Sequence, residues 1–600
     1  MTTASFFRVL TLGAALTLAA CSATTEAQLT DDNGTATGTS DGAGGATMSA
    51  NVGSGAGINL AGSGGNTSDI RTCSSDLQYV LNESNVVIED CWPDKGCKEG
   101  QCVEPCEAAA ANQGNIGCEF TIATPHFYVG IKPPCFAVFL ANAWPKDATI
   151  TVERGGQSFD AAAFGRIAQS NPDASTWQSI PATGLPPDEV AVLFLSHDPA
   201  SKNSTPLVCP IQPAISANGG TAVTQSAVGQ AWRIRTSIPV SAYDILPYGG
   251  ASSYLPSAEL LMPTSAWGTN YMAVLPKDSA GPPWAQLVAR DNNTAVQMLP
   301  NVPLPAAGSV PPGQVNTQLN FTLQAGEYVQ WQLPKGVDMT GTVIQADKPV
   351  AFTGGNAYIC YTSATSNGGG CDSAHQQIPP VAALGYEYVA PPYANRGSAP
   401  ESIPYRIVGA VDGTTLTYDP PLASAPAFLS AGQVYDFEVV GAFTISSQDK
   451  DHPFYLAQIM SGCNTPGANG LGDEEFVNIL PPAQFLKKYV FFTDPTYPNT
   501  NLVVVRKKAE DGFKDVTIKC AGVVSGWTPV GTGGTYEITH VDLMKSGQGV
   551  GGCSNGPQQA SSEGSFGLMV WGLDNYSSYA YPAGGSVAAI NTVVIPPIPD

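Results

Sequence analysis

From about residue 118 to 595 the chain alternates apolar and polar positions with a period of two, or runs apolar briefly, before Gly, Pro, Asn or Asp interrupts it. The stretches 148–155, 405–420, 501–508 and 566–572 show the pattern, rich in β-branched and aromatic residues. A period of two places alternate side chains on opposite faces of a strand, so these stretches predict β structure. Val411-Asp412-Gly413-Thr414 predicts a hairpin turn, because Asp-Gly accepts the positive φ that tight hairpins need. No long helical periodicity is visible, and the chain is expected to be all-β.

The strand pattern repeats. Pro263, Pro380 and Pro481 each precede by eight positions a tyrosine that opens a short apolar run, at Tyr271, Tyr388 and Tyr489. A second landmark is an aromatic strand opening at Tyr328, Tyr435 and Tyr536. It is followed by Lys348-Pro349-Val350, His452-Pro453-Phe454 and Gly564-Ser565-Phe566. Ile238-Pro239-Val240 marks an earlier, degenerate copy. Two landmarks at one spacing point to tandem β-sandwich-like modules of about 100–120 residues. The modules are placed at 118–245, 246–355, 356–460 and 461–600. Propeller blades are the alternative architecture.

The first 70 residues differ in kind. Arg8 precedes an apolar run from Val9 to Ala20, too short to span a bilayer, which ends in Leu18-Ala19-Ala20-Cys21. Residues 1–20 read as a signal peptide. Cys21 reads as the lipidated N-terminus of an outer-membrane or cell-surface lipoprotein, because Ser22 rather than Asp follows it. The tract 21–70 is Gly/Ser/Thr-rich and lacks the apolar side chains for a core. It reads as a disordered tether with a root-mean-square span of roughly 35–40 Å.

Composition narrows the partners. Lys and Arg number 26 against 49 Asp and Glu, a net charge of −23. Such a surface repels phosphate backbones, so nucleic acid is not expected to bind. Of 14 cysteines, 13 remain once Cys21 is set aside, so outside the cytosol one is expected to be unpaired. Cys73, Cys91, Cys97, Cys102, Cys106, Cys118 and Cys135 cluster around a knot at 71–117. Disulfides are favoured over zinc because C-x2-C spacing is missing, and connectivity stays open. Cys360 and Cys371 flank a short Gly-rich loop and are expected to bond to each other.

Motifs for chemistry do not survive their context. His126, His197, His375, His452 and His540 form no HExxH, and no two lie three to five positions apart. G-x-S-x-G occurs around Ser40, in the tether, and around Ser554, where Pro557 denies the helix a nucleophile elbow needs. Asp473-Glu474-Glu475 and Asp449-Lys450-Asp451 could ligate calcium but read better as solvated turns. No catalytic, metal or cofactor residue is assigned. A glycosidase-type carboxylate pair stays open, since its separation exists only in the fold.

Three stretches carry a resemblance. They are Ala351 to Asn356 with Cys360 and Cys371 to Pro380; Gly472 to Phe476 running to Pro482; and Gly567 to Gly572 with Ser578 to Gly585. They resemble the N-terminal domain of the IgGFc-binding protein family, over about 230–590 and more loosely 118–230. The lipobox, tether and knot resemble its bacterial, myxobacterial-type surface members. The resemblance implies a non-enzymatic extracellular binding or adhesion module whose partner is a protein or glycan, and it supplies no binding residues. A polysaccharide hydrolase and a structural envelope protein are the alternative functions. Trp267 and Trp284 are considered as contact aromatics, with core packing the commoner role for each.

Overall fold

The computed structural model describes residues 71–598, except 75–76, 85, 250–252, 254 and 278–279. The signal peptide, Cys21 and the tether lie outside the described residues. What is described is nearly all-β.

One plan recurs four times along the chain. Each module has an opening strand: Ile116–Ile122, Gly268–Met272, Glu387–Ala390 and Leu486–Thr493. A second strand follows: Phe136–Ala141, Pro283–Ala289, Ser402–Gly409 and Asn499–Lys507. Later comes a long strand: Trp232–Leu246, Val343–Ile359, the pair Phe443–Ser446 and Phe454–Met460, and Gly556–Asp574. A closing strand completes the plan: Ser257–Leu261, Asp372–Ile378, Glu475–Asn478 and Ser577–Pro582. All pair antiparallel. The first half of the long strand pairs with the opening strand, and its second half with the second and closing strands. One strand thus serves both sheets of a sandwich, and each module is an open half-barrel. The propeller alternative is not what forms.

The second landmark marks where the long strand changes sheets. Proline cannot donate to a ladder and is tolerated where pairing is interrupted. Pro239, Pro349 and Pro453 sit at that bend. In the third module the break is complete, and Asp449-Lys450-Asp451 forms an exposed turn between the two half-strands.

The first landmark grips the second. Tyr271, Tyr388 and Tyr489 are buried on the opening strands. Each hydroxyl accepts a hydrogen bond from the N–H three residues back, of Gly268 (3.0 Å), Gly385 (2.8 Å) and Leu486 (3.0 Å). Each donates to the carbonyl at the bend, of Val350, Phe454 and Phe566. Pro380 and Pro481 close the contact from outside. A Cβ on Gly385 would lie 2.5 Å from that of Pro481, so only glycine fits. In the first module Phe120 occupies the corresponding strand and has no hydroxyl, which accounts for the degenerate look of that copy.

The four closing strands pack in a cycle. Ser257–Leu261 lies against Asp372–Ile378 and Ser577–Pro582, and Glu475–Asn478 lies against the latter two. Shared cores join neighbouring modules. The last joins the first through Phe139 stacked on Phe492, with centroids 4.9 Å apart. Tyr243 seals this junction by donating to Val490 O (3.0 Å) and Ala583 O (2.8 Å). Behind it Asn115 and Gly585 exchange hydrogen bonds. The described modules therefore form a ring around a hub of closing strands.

The knot rests on the first module. Cys73–Cys97 and Cys91–Cys102 close it internally, and Cys106–Cys118 ties its helix, Pro105–Asn112, to the first opening strand. Cys135 pairs outside the cluster, with Cys209. These cysteines are spent on disulfides, which leaves no thiolate for zinc. Cys360–Cys371 and Cys520–Cys553 are also bonded, and Cys463 is the free cysteine among the described residues.

Candidate functional site at the mouth of the ring

Long and closing strands are joined by four connections, after Leu246, Ile359, Met460 and Asp574, and all four emerge at one end of the hub. They are zipped together. Gly462 and Asn464 donate to Tyr361 O and Gly368 O, and Gly472 N and Tyr576 N donate to Asp574 O and Gly470 O (2.7 and 2.8 Å). Between them opens a cavity of about 610 Å³. Its wall comes from every module: Asn203 to Thr205 and Leu255 from the first, Tyr358, Gly370 and Cys371 from the second, Asp473 from the third, Asn575 and Tyr576 from the fourth. The Cys360–Cys371 disulfide pins the base of the second connection at this wall.

Two wall residues are shaped for contact. Tyr576 is 62% exposed and adopts φ +53°, a conformation that bulky residues rarely hold. Local strain kept at an exposed aromatic is the kind of outlier that points to function. Tyr358 packs on Tyr128 with centroids 5.1 Å apart. Trp267 and Trp284, by contrast, are buried in core, 5% and 0% exposed, and offer no contact surface.

Below the mouth the hub is acidic and buried. Asp473, Glu474 and Glu475 are completely buried, so reading them as a solvated turn is corrected: Gly472 begins the descent of the chain into the hub. Asp372 joins them at the start of the second closing strand, its Oδ2 accepting from Ser578 N at 3.1 Å. Burial raises all four carboxyls above the usual range; the charges of Asp473 and Glu474 add to it at Asp372 and that of Asp473 at Glu474, whereas Asp473 itself is eased by Glu474, the Cys371 backbone and Arg396. Asp372 Oδ1, Glu474 Oε2 and Glu475 Oε2 meet no protein donor, and the Asp473 carboxyl has only the Glu474 carboxyl and the backbone of Cys371 and Glu474 within reach. Gly370 makes room for this crowding, since a Cβ there would lie 1.7 Å from Asp473 Oδ2. Cys463 lies beside the same carboxylates, and burial followed by their charge pushes its thiol up to about 11. It is therefore an inert thiol at neutral pH.

Deeper in the hub, Asp244, Glu259 and His375 bring one ligand atom each within 4.8 Å of one another. Sequence spacing gave no sign of this trio, because its members stand on three different strands. The remaining histidines have structural partners: His126 with Val223 O, His197 with Ser216 Oγ, His452 with Asp449 and His540 with Pro392 O. Ser554 is exposed in a loop that leads into a strand, which is no nucleophile elbow. The mouth residues themselves escaped the sequence reading because they lie in the connections, where the repeats diverge. The one available signal was that repeat proteins gather such loops on one face.

Among the described residues no helix is long and apolar enough to cross a membrane. No solved structure matches the chain. The human IgGFc-binding protein is 26% identical over 337 residues, which cover 54% of this chain and 6% of that much longer relative. Residues 257–572, just over half of the chain, match the family described as IgGFc binding protein. The match runs from the first closing strand to the bend and beyond of the last long strand, which takes in the Tyr–bend clamps and the acidic hub, and of the mouth wall Tyr358, Gly370, Cys371 and Asp473 but not Asn203 to Thr205, Leu255, Asn575 or Tyr576. The chain belongs to the IgGFc-binding protein family.

Proposed function

We propose that the protein is an extracellular binding or adhesion lipoprotein, held at an outer membrane by acylated Cys21 and engaging a protein or glycan at the mouth of the ring. The observation that carries this reading is the cavity walled by all four modules with strained, exposed Tyr576 at its rim. Tyrosine offers a large contact area at little conformational cost, and the neighbouring amides and hydroxyls of Asn203, Ser204 and Asn575 supply polar contacts. Family membership supports binding over turnover. Immunoglobulin Fc is in the name of the human relative, so Fc is one probe among several rather than the assigned ligand.

The test is binding of the full mature chain to a glycan array, mucin and immunoglobulin Fc, with membrane partition of wild type and Cys21→Ser followed in parallel. The reading expects at least one saturable binder and loss of membrane partition in the variant. Partition unchanged by Cys21→Ser would remove the anchor. A hydrolase is the second reading, and its candidate group is Asp473, which borders the cavity although its carboxyl oxygens are buried. Polysaccharide cleavage that disappears in Asp473→Asn would establish it in place of binding.

A further inference from the structure

We infer that Asp244, Glu259 and His375 form a structural site for one divalent first-row transition ion, which fastens the first module to the second inside the hub. Asp244 lies near the end of the first long strand, and Glu259 stands directly opposite it on the first closing strand. Like charges directly across a ladder repel, and here both lie in an interior shut off from water. His375 comes from the next module's closing strand and places Nε2 2.9 Å from Asp244 Oδ1. No lysine or arginine pairs with either carboxylate among the described residues. No protein donor meets Asp244 Oδ2 or Glu259 Oε2, and the two carboxyls lie within hydrogen-bond reach of each other. Two buried carboxyls facing one imidazole, with an oxygen on each that no protein donor meets, would be held in their ionised form by a positive charge at their centre.

The donor set selects the ion. Ligands on a metal–ligand radius of about 2.1 Å lie about 3.0 Å apart in an octahedral shell and about 3.4 Å apart in a tetrahedral one, so the His375–Asp244 contact of 2.9 Å, itself of hydrogen-bond length, needs only a small adjustment to hold such an ion. Calcium prefers oxygen throughout. A mixed imidazole and carboxylate set suits zinc or manganese. Trp284, its ring 6.2 Å from that of His375, and the paired backbones of the hub hold the ligands in place. The site is distinct from Asp372, Asp473 and Glu474, which line up below the mouth.

The test uses the full mature chain with its disulfides intact. The protein is unfolded in denaturant with chelator, then refolded with zinc, manganese, calcium or no metal, desalted, and assayed for bound metal. The expected result is about one equivalent of zinc or manganese per chain and a higher melting temperature than after metal-free refolding. Retention should fall at least about tenfold in Glu259→Gln and in His375→Gln, with folding checked by circular dichroism. Wild type that folds with less than about a tenth of an equivalent of any metal would show that the trio shares a proton instead. Retention unchanged in both variants, or calcium held in preference, would equally overturn the site.

Discussion

Tyr271, Tyr388 and Tyr489 show how one residue type makes a repeat visible. Each hydroxyl takes an N–H from its own strand and gives its proton to the bend carbonyl, so two landmarks about 70 residues apart keep step because they touch. The tyrosines and the prolines were legible in the sequence; that they meet was not, since nothing in the spacing names the acceptor. Tyr388→Phe should cost about 1–2 kcal/mol, because the Gly385 N–H and one Phe454 lone pair are left buried without a partner. Chemical denaturation checks this, and a change below about 0.3 kcal/mol would deny the clamp any structural weight. At Tyr576 the opposite sign is expected. Asparagine tolerates positive φ, so Tyr576→Asn should leave stability unchanged or raise it by about 0.5–1 kcal/mol. A marked loss of stability would show that the ring of Tyr576 is there for packing.

At the scale of elements, the long strand and its bend were foreshadowed by the period-two pattern and by Pro239, Pro349 and Pro453. Reading two sheets per module from a single interrupted run was within reach for that reason. The buried start of the third closing strand was not. Asp473-Glu474-Glu475 looks like surface by composition, and only the fold reveals that the chain turns inward there. A pH dependence follows. These carboxyls, together with Asp372, have pKa values raised in the folded state, so between about pH 4 and neutrality the unfolded chain binds fewer protons and stability falls as pH rises. Arg396 faces Asp473 and tempers the effect, but its guanidinium is committed to Glu401 at 2.7 Å. The melting temperature should be higher at pH 5 than at pH 8, with a shallower slope in Asp473→Asn. A slope of the reverse sign would mean that these groups are ionised and compensated. The Cys360–Cys371 bond closes a short connection at the mouth, and replacing both cysteines by serine should cost about 2–3 kcal/mol, read by denaturation of oxidised protein.

At the scale of the molecule, repetition was legible and the closure of the ring was not. Repeats in sequence say only that neighbours resemble one another; the contact of the fourth module with the first depends on Phe139, Phe492, Tyr243 and Asn115, none of which belongs to a landmark. Closure is what turns four separate strand connections into one walled cavity, and the functional reading rests on that. The most direct measurement is therefore a paired comparison on whichever glycan, mucin or Fc probe the full chain binds. Tyr576→Asn alters the mouth, while Tyr435→Ala removes an exposed aromatic, 40% accessible, from the strand Val434–Val440 of the third module, which pairs with Ser402–Gly409 away from the mouth wall. The ring account predicts at least about tenfold weaker binding for Tyr576→Asn at undiminished stability, and unchanged binding for Tyr435→Ala. Binding that survives Tyr576→Asn and is lost with Tyr435→Ala would contradict it.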